Sequence, residues 1–507
     1  MKTDNFLSLK EYPLVRDKKH IVPYAFVKQN SILPLKEEKD RVIVASSDPL
    51  NFSAQDELRL ILNKEIEVFL SSKEELNEAI ELCYHQKEEE TKRILKDLNK
   101  KNNISTKEDI EGYDLLENSS DSDVIRFLNA VFLEAIQQNA SDIHFEPVEN
   151  GINVRYRIDG ILQNRHFSLL NLKTQLIARI KVMSKLDISE TRLPQDGRIK
   201  LKLGKREIDF RVSIVPTVYG ERVNLRILDR MNIVLGLDNI GMHNNMLTTF
   251  KRLIKASEGI ILVTGPTGSG KTTTLYSAIC EINSPEVNIM TIEDPVEYKI
   301  ASIAQIGVSP KIGLSFARGL KHILRQDPDI IMVGEIRDKE TAEIAIQAAL
   351  TGHLVLTTLH TNDAPSAITR LLDMGIEPYL ISSALIGVLA QRLVRKTCTK
   401  CQVAYKPREE ELKEIKMTSE FNECFYKAEG CNDCFNSGYK GRHGIYELML
   451  TDTYLKDKIM QRADAESLRK EAIQNGMMQL LFSGQELIKR GITTTKEVLR
   501  VVNLGGR

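Results

Sequence analysis

The stretch of this chain whose residue types and spacing spell out a reaction is Gly265-Pro266-Thr267-Gly268-Ser269-Gly270-Lys271-Thr272. Its glycines let the backbone turn tightly enough for successive N–H groups to converge on phosphate oxygens, and a chance glycine turn lacks the lysine and hydroxyl that follow. Lys271 is placed to reach β- and γ-phosphates, Thr272 to ligate Mg²⁺, and Thr273 to continue the cradle. The apolar run 259–264 predicts a buried strand ahead of the loop. Residues 273–282 predict a helix behind it, whose N-terminus adds partial positive charge.

A phosphate site needs acids and cations around it, and the next segments carry them. A strand over 287–292 runs into Glu293-Asp294-Pro295-Val296-Glu297, and a second over 329–333 runs into Gly334-Glu335. In doubly wound sheets ligands sit at the carboxyl ends of strands, so both acidic groups are expected to face the phosphates. Carboxylates there hold Mg²⁺ or orient an attacking water. Because Gly334 intervenes, Glu335 is open to either role or both. A strand over 353–360 is bracketed by His353 and His360. A histidine in such a place is ordinarily a hydrogen-bonded structural group, but beside a nucleotide each could report the γ-phosphate to its neighbours.

Upstream the period changes. Residues 151–158 and 207–214 alternate polar and apolar, as half-buried antiparallel strands do, with Asp159-Gly160 and Asp196-Gly197 as expected turns. Their polar face carries Arg155, Arg157, Arg211, Arg222 and Arg226. A solvated face is the ordinary account of such arginines. Ahead of a nucleotide site, a fixed guanidinium can instead neutralise transition-state charge, worth roughly 10³ to 10⁵ in rate. Downstream, Cys398-x-x-Cys401 and Cys431-x-x-Cys434 lie 29 residues apart, with a helix expected over 409–420 between them. Two such knuckles can close a tetrahedral Zn²⁺ site; Cys424 stands outside the pattern.

The chain of 507 residues is too long for one core. Its 70 basic and 70 acidic residues cancel, which argues against a nucleic-acid partner held by net charge. The apolar runs are short and the start lacks a secretory core, so a cytosolic protein is expected. Composition divides it into an N-terminal α/β domain (1–85), a charged helix and linker (86–123), a second domain (124–235), the P-loop core (236–395), a tetracysteine module (396–450) and a C-terminal helical segment (451–507).

Taken together, these residues resemble the type II secretion and type IV pilus-assembly ATPases. Residues 140–146, Ala-Ser-Asp-Ile-His-Phe-Glu, match a signature of that family's second N-terminal domain. Residues 291–297 resemble its aspartate box, 330–338 its Walker B segment, and 351–353 with 360–362 its histidine box. The resemblance implies a RecA-like P-loop core, a PAS-like preceding domain, hydrolysis of ATP with Mg²⁺, and a homohexamer. It puts Arg211 and Arg226 where relatives direct arginines to the phosphates. The cysteines look like the zinc module of the secretion and pilus-extension branches. Residues 21–26 are similar to the start of secretion ATPases, whose first domain docks on an inner-membrane assembly protein, giving peripheral association through that partner and phospholipid. No cyclic-di-GMP-type repeat is recognisable in the first domain. The expected function is a motor for pseudopilus assembly and protein export. The rivals are a pilus-extension or DNA-uptake motor, and a regulator that binds nucleotide without turning it over.

Overall fold

The computed structural model describes residues 22, 24–37, 41–62, 64–84, 123–203, 206–229, 236–417 and 424–503. They belong to two units, Met1–Asn232 and Ile233–Arg507. The linker expected over 86–123 lies outside the described residues except for Asp123.

The first unit contains two sheets with separate cores. In the smaller, β1 (Ile32–Glu37) is antiparallel to β2 (Arg41–Ser46), which is parallel to β3 (Glu65–Leu70). The parallel pair needs a crossover, and helix Phe52–Leu62 supplies it. Val42, Val44, Leu58, Leu76 and Ile80 form the core. The larger sheet is antiparallel, in the order β6-β5-β4-β9-β8-β7. Its strands are β4 (Ala140–Val148), β5 (Gly151–Ile158), β6 (Ile161–Leu169), β7 (Gln195–Leu203), β8 (Arg206–Thr217) and β9 (Gly220–Asp229). Helices Asp123–Gln137 and Leu170–Met183 contribute Phe127, Phe132, Leu176 and Ile180 to a core with Phe145, Tyr156 and Phe210 from the sheet.

Asp159-Gly160 does make the β5–β6 turn, at φ 47° and 82°. Asp196-Gly197 does not make a turn. Both residues lie inside β7, where Gly197 pairs with Val212. A Cβ at Gly197 would sit 2.8 Å from the Ser184 carbonyl oxygen, so this glycine serves a close approach.

The second unit is built on a seven-stranded sheet of order β12-β11-β13-β14-β10-β15-β18. Here β10 is Gly259–Thr264, β11 Ile289–Glu293, β12 Ala304–Gly307, β13 Ile330–Val333, β14 Leu354–Leu359 and β15 Leu385–Thr397; the last strand, β18, is Tyr439–Leu450. Six strands are parallel and β18 runs antiparallel to β15. β10, β11, β13 and β14 are buried along their whole length, which is why they read as unbroken apolar runs rather than alternating ones.

The sheet does not end where the composition changes near 395. β15 continues to Thr397 and β18 rejoins it, so the tetracysteine segment is an insertion between two paired strands. It carries its own hairpin, β16 (Gln402–Tyr405) with β17 (Phe425–Ala428). The helix expected over 409–420 spans Glu409–Glu414, with Lys416 at φ 55° closing it; 418–423 lie outside the described residues. The C-terminal helices are not a separate body either. Leu455, Ile459, Leu468 and Ala472 join the core of the sheet, while Leu480, Leu487 and Val498 pack with Leu412 and Phe425 of the insertion.

Candidate active site

β10 ends at Thr264, and the chain turns through Gly265 to Gly270 into helix Lys271–Ile282. Gly268 and Gly270 sit at φ 79° and 90°, a conformation that other residues rarely adopt and that turns adjacent N–H groups toward one side. Lys271 is only 9% exposed, and its Nζ donates to the carbonyls of Gly265 (2.7 Å) and Pro266 (3.2 Å). Burial lowers its pKa to about 8; Glu335 opposes the shift and Arg392 adds to it. Pro266, Thr267, Thr272 and Thr273 are exposed, whereas Ser269 is buried.

Glu335 follows β13 and His360 follows β14, so the sheet brings both to the edge where the P-loop lies. Arg337 binds one oxygen of Glu335, and His360 Nε2 lies 3.3 Å from the other. Arg337 also approaches Asp294, at 3.8 Å. Burial, and next the charge of Lys271, lower the His360 pKa, with Glu335 opposing; the neutral imidazole is thereby favoured. Glu293 lies deeper, 4% exposed. It accepts hydrogen bonds from the Tyr276 hydroxyl, Thr291 Oγ1 (2.6 Å) and Gln305 Nε2 (3.2 Å), tying β11 to the P-loop helix and to β12. Glu297 is half-buried in the loop after β11.

His353 lies apart from this group. It precedes β14, and its carbonyl accepts from Gly259 N (3.1 Å) at the end of β10 remote from the P-loop. Its ring Nδ1 lies 2.9 Å from the Ala348 carbonyl. At about 3.3 Å per residue the strand separates the two histidines by roughly 20 Å. His353 thus stands at the end of β14 away from the P-loop, and His360 at the end beside it.

Sequence reasoning missed Arg337, Gln391 and Arg392. Gln391 is 2% exposed; its Nε2 donates to the Ser269 carbonyl (2.7 Å), and its Oε1 accepts from Thr274 Oγ1 (2.8 Å). Arg392, 4% exposed, donates through Nη2 to the carbonyl (2.9 Å) and side-chain oxygen (3.1 Å) of Asn362, two residues beyond His360. The legible signal was a glutamine-arginine pair set in the apolar run of β15.

Arg211 and Arg226 belong to the first unit, where they face each other across β8 and β9. Register extends the row from Arg198 on β7 through Arg211 and Arg226 to Asp142 on β4 and Arg157 on β5. Buried Asp142 accepts from Arg226 Nε at 3.1 Å and lies 3.8 Å from Arg157. Arg155 and Arg222 share Glu146, at 2.8 and 2.6 Å.

The thiols of Cys398, Cys401, Cys431 and Cys434 all lie within 4.8 Å of one another. Three pairs stand 3.7 to 3.8 Å apart. A tetrahedron of sulfurs about 2.3 Å from a Zn²⁺ has edges of about 3.8 Å. The donor set therefore fits a closed thiolate site, and N–H groups of Cys431 (3.1 Å) and Gly438 (3.3 Å) point at the Cys434 sulfur.

A family model described as Type II/IV secretion system protein matches residues 117–500. The chain belongs to this secretion family. A second model, the MshEN domain, matches residues 5–90. Over 493 residues the chain is 43% identical to the Type II secretion system ATPase E of Vibrio cholerae, covering 96% of this chain and 98% of that protein. It is also 43% identical over 498 residues to the Type IV pilus assembly ATPase PilB of Myxococcus xanthus, covering 97% and 88%. The ATPase DotB of Yersinia pseudotuberculosis, 22% identical with a TM-score of 0.56 over 74% of this chain and 93% of that one, shares the fold. The resemblance read from the P-loop, the two acidic segments and the histidine segment thus holds for the family and its ATPase fold. No helix among the described residues is long and apolar enough to cross a membrane.

Proposed function

We propose that this secretion-family ATPase is the motor of a type II secretion system, hydrolysing ATP to drive pseudopilus assembly and protein export. The observation that carries the reading is the convergence of Lys271 with Glu335, Arg337 and His360 at the carboxyl edge of one parallel sheet. In this reading the P-loop amides and Lys271 hold the β- and γ-phosphates, and Glu335 orients the attacking water. His360 and Arg337 fix the Glu335 carboxylate. Thr272, with Glu335 and Asp294 nearby, would hold Mg²⁺, which supplies charge neutralisation at the phosphates. Arg211 and Arg226 would complete the charge stabilisation from the preceding domain, and Glu293 and Glu297 support the acidic side. Working as a homohexamer on the cytoplasmic face of the inner membrane, the chain would dock through its first domain on an assembly protein and bind one Zn²⁺ through the four cysteines. A pilus-assembly motor is the second reading, favoured by the equal identity to the pilus ATPase.

The test is ATP turnover and nucleotide binding by full-length protein with phospholipid. Lys271→Ala should lose both. Glu335→Gln should keep binding while kcat falls by about 10² or more. Wild-type protein that binds ATP but turns it over no faster than either variant would be a nucleotide-binding regulator, not a motor.

A further inference from the structure

Gln391 stands on the strand beside β10, and its one amide group joins two parts of the P-loop. Nε2 donates to the Ser269 carbonyl, and Oε1 accepts from Thr274 in the first turn of the following helix. The Ser269 carbonyl, which can only accept, sets the orientation of the amide, and the Thr274 hydroxyl donates to the oxygen left on the other side. Turned over, Oε1 would face the Ser269 carbonyl, acceptor against acceptor, in a site that is 2% exposed.

The consequence concerns the next peptide unit. A trans peptide is planar, so its C=O and N–H point in opposite directions. Asp294-Pro295 is the cis bond among the described residues, and Ser269-Gly270 is trans. Drawing the Ser269 carbonyl toward β15 therefore turns the Gly270 N–H away from β15, into the hollow of the loop. Contact is close on this side: a Cβ at Gly270 would come within 3.1 Å of Gln391 Nε2, and one at Gly265 within 2.5 Å of the Gln391 carbonyl oxygen. Without the tether, the same peptide could rotate and present a carbonyl dipole to an anion.

We propose that Gln391 is a positioning residue of the nucleotide site: by holding the Ser269 carbonyl it aims the Gly270 amide at the phosphates and sets the polarity of the loop. This rests on the reading of the P-loop as a nucleotide site. Arg392, the next residue on β15 and so directed to the other face, holds the loop after β14 through Asn362. Two adjacent side chains of one strand thus brace the loops that carry Lys271 and His360.

The experiment is calorimetric titration of full-length wild type, Gln391→Leu, Gln391→Glu and Lys271→Ala with MgADP between pH 6 and 8.5, with circular dichroism and melting of the free proteins. Gln391→Leu should weaken MgADP binding by about tenfold, one charge-assisted hydrogen bond to a phosphate. Gln391→Glu keeps the shape and separates positioning from packing. Ionised, its carboxylate repels the Ser269 carbonyl; protonated, its O–H donates to it. Its affinity relative to wild type at the same pH should be poor at pH 8 and recover toward pH 6, whereas a packing defect lowers the melting temperature and leaves that ratio flat. Gln391→Glu within about twofold of wild type at every pH would overturn the proposal. If Lys271→Ala binds MgADP as wild type does, the nucleotide reading fails, and this inference with it.

Discussion

The ammonium of Lys271 couples nucleotide binding to pH. Its burial holds the free-state pKa at about 8, against an ordinary value of 10.5. Phosphate oxygens beside it favour the charged form, so binding should return the pKa to its ordinary range or above. With a requirement for the charged lysine, the apparent Kd scales as one plus the ratio of neutral to charged lysine: about 1.1 at pH 7, 2 at pH 8 and 11 at pH 9. Affinity for MgATP should therefore fall about tenfold between pH 7 and pH 9, with about half a proton taken up per nucleotide at pH 8. The second ionisation of a phosphate lies near 6 and does not intrude. The sign for folding follows the same shift. The unfolded chain binds the proton up to its ordinary pKa, so the free protein gains stability from this group as pH rises from about 8 toward 10.5, and nucleotide abolishes that gain. Wild-type protein, which keeps the Glu335 charge beside Lys271, can be titrated with a non-hydrolysable MgATP analogue by calorimetry in two buffers of different ionisation enthalpy, with Lys271→Arg as a non-titrating control. A Kd that is flat from pH 7 to 9, with no buffer-dependent heat, would refute the reasoning.

Two further outcomes test other parts of the molecule. Cys398→Ser, or wild type in a strong chelator, should lose bound zinc and show a clearly lower melting temperature, since a structural site contributes on the order of 10 kcal/mol; unchanged melting with no metal in the wild type would dismiss the zinc assignment. Arg226→Ala should leave MgADP affinity near wild type and lower kcat by about 10³, as removal of a charge-stabilising arginine does, and Asp142→Asn should shift kcat in the same direction by loosening Arg226. Unaltered kcat in both would return this row of arginines to a solvated sheet face.

The sites readable in the sequence were those whose chemistry is local. Eight consecutive residues from Gly265 to Thr272 make the loop by their own dihedral freedom and side chains, and Glu335 and His360 could be placed because each follows an apolar run short enough to be a buried strand. His353 shows where adjacency misleads: it touches the same strand as His360 but at the other end. Asp196-Gly197 shows the same for turns, since its glycine answers to Ser184 across a helix-to-strand contact and not to its neighbours. Gln391 showed in the sequence only as a polar residue in an apolar strand, and its role was not legible because Ser269 and Thr274 are more than a hundred positions away.

By itself, the sequence determined the phosphate loop, the buried strands that frame it, the arginine-bearing antiparallel strands and the two cysteine knuckles, all set by side-chain type and short-range period. Tertiary structure decided which ends of those strands meet, that β18 rejoins β15 around the cysteine insertion, that Glu293 is buried against Tyr276 while Glu335 pairs with Arg337 and His360, and that a glutamine on β15 braces the loop. The reason is physical: periodicity records which face of an element is buried, whereas sheet order and register, which bring distant hydrogen-bonding groups to within 3 Å, depend on packing that no local stretch encodes.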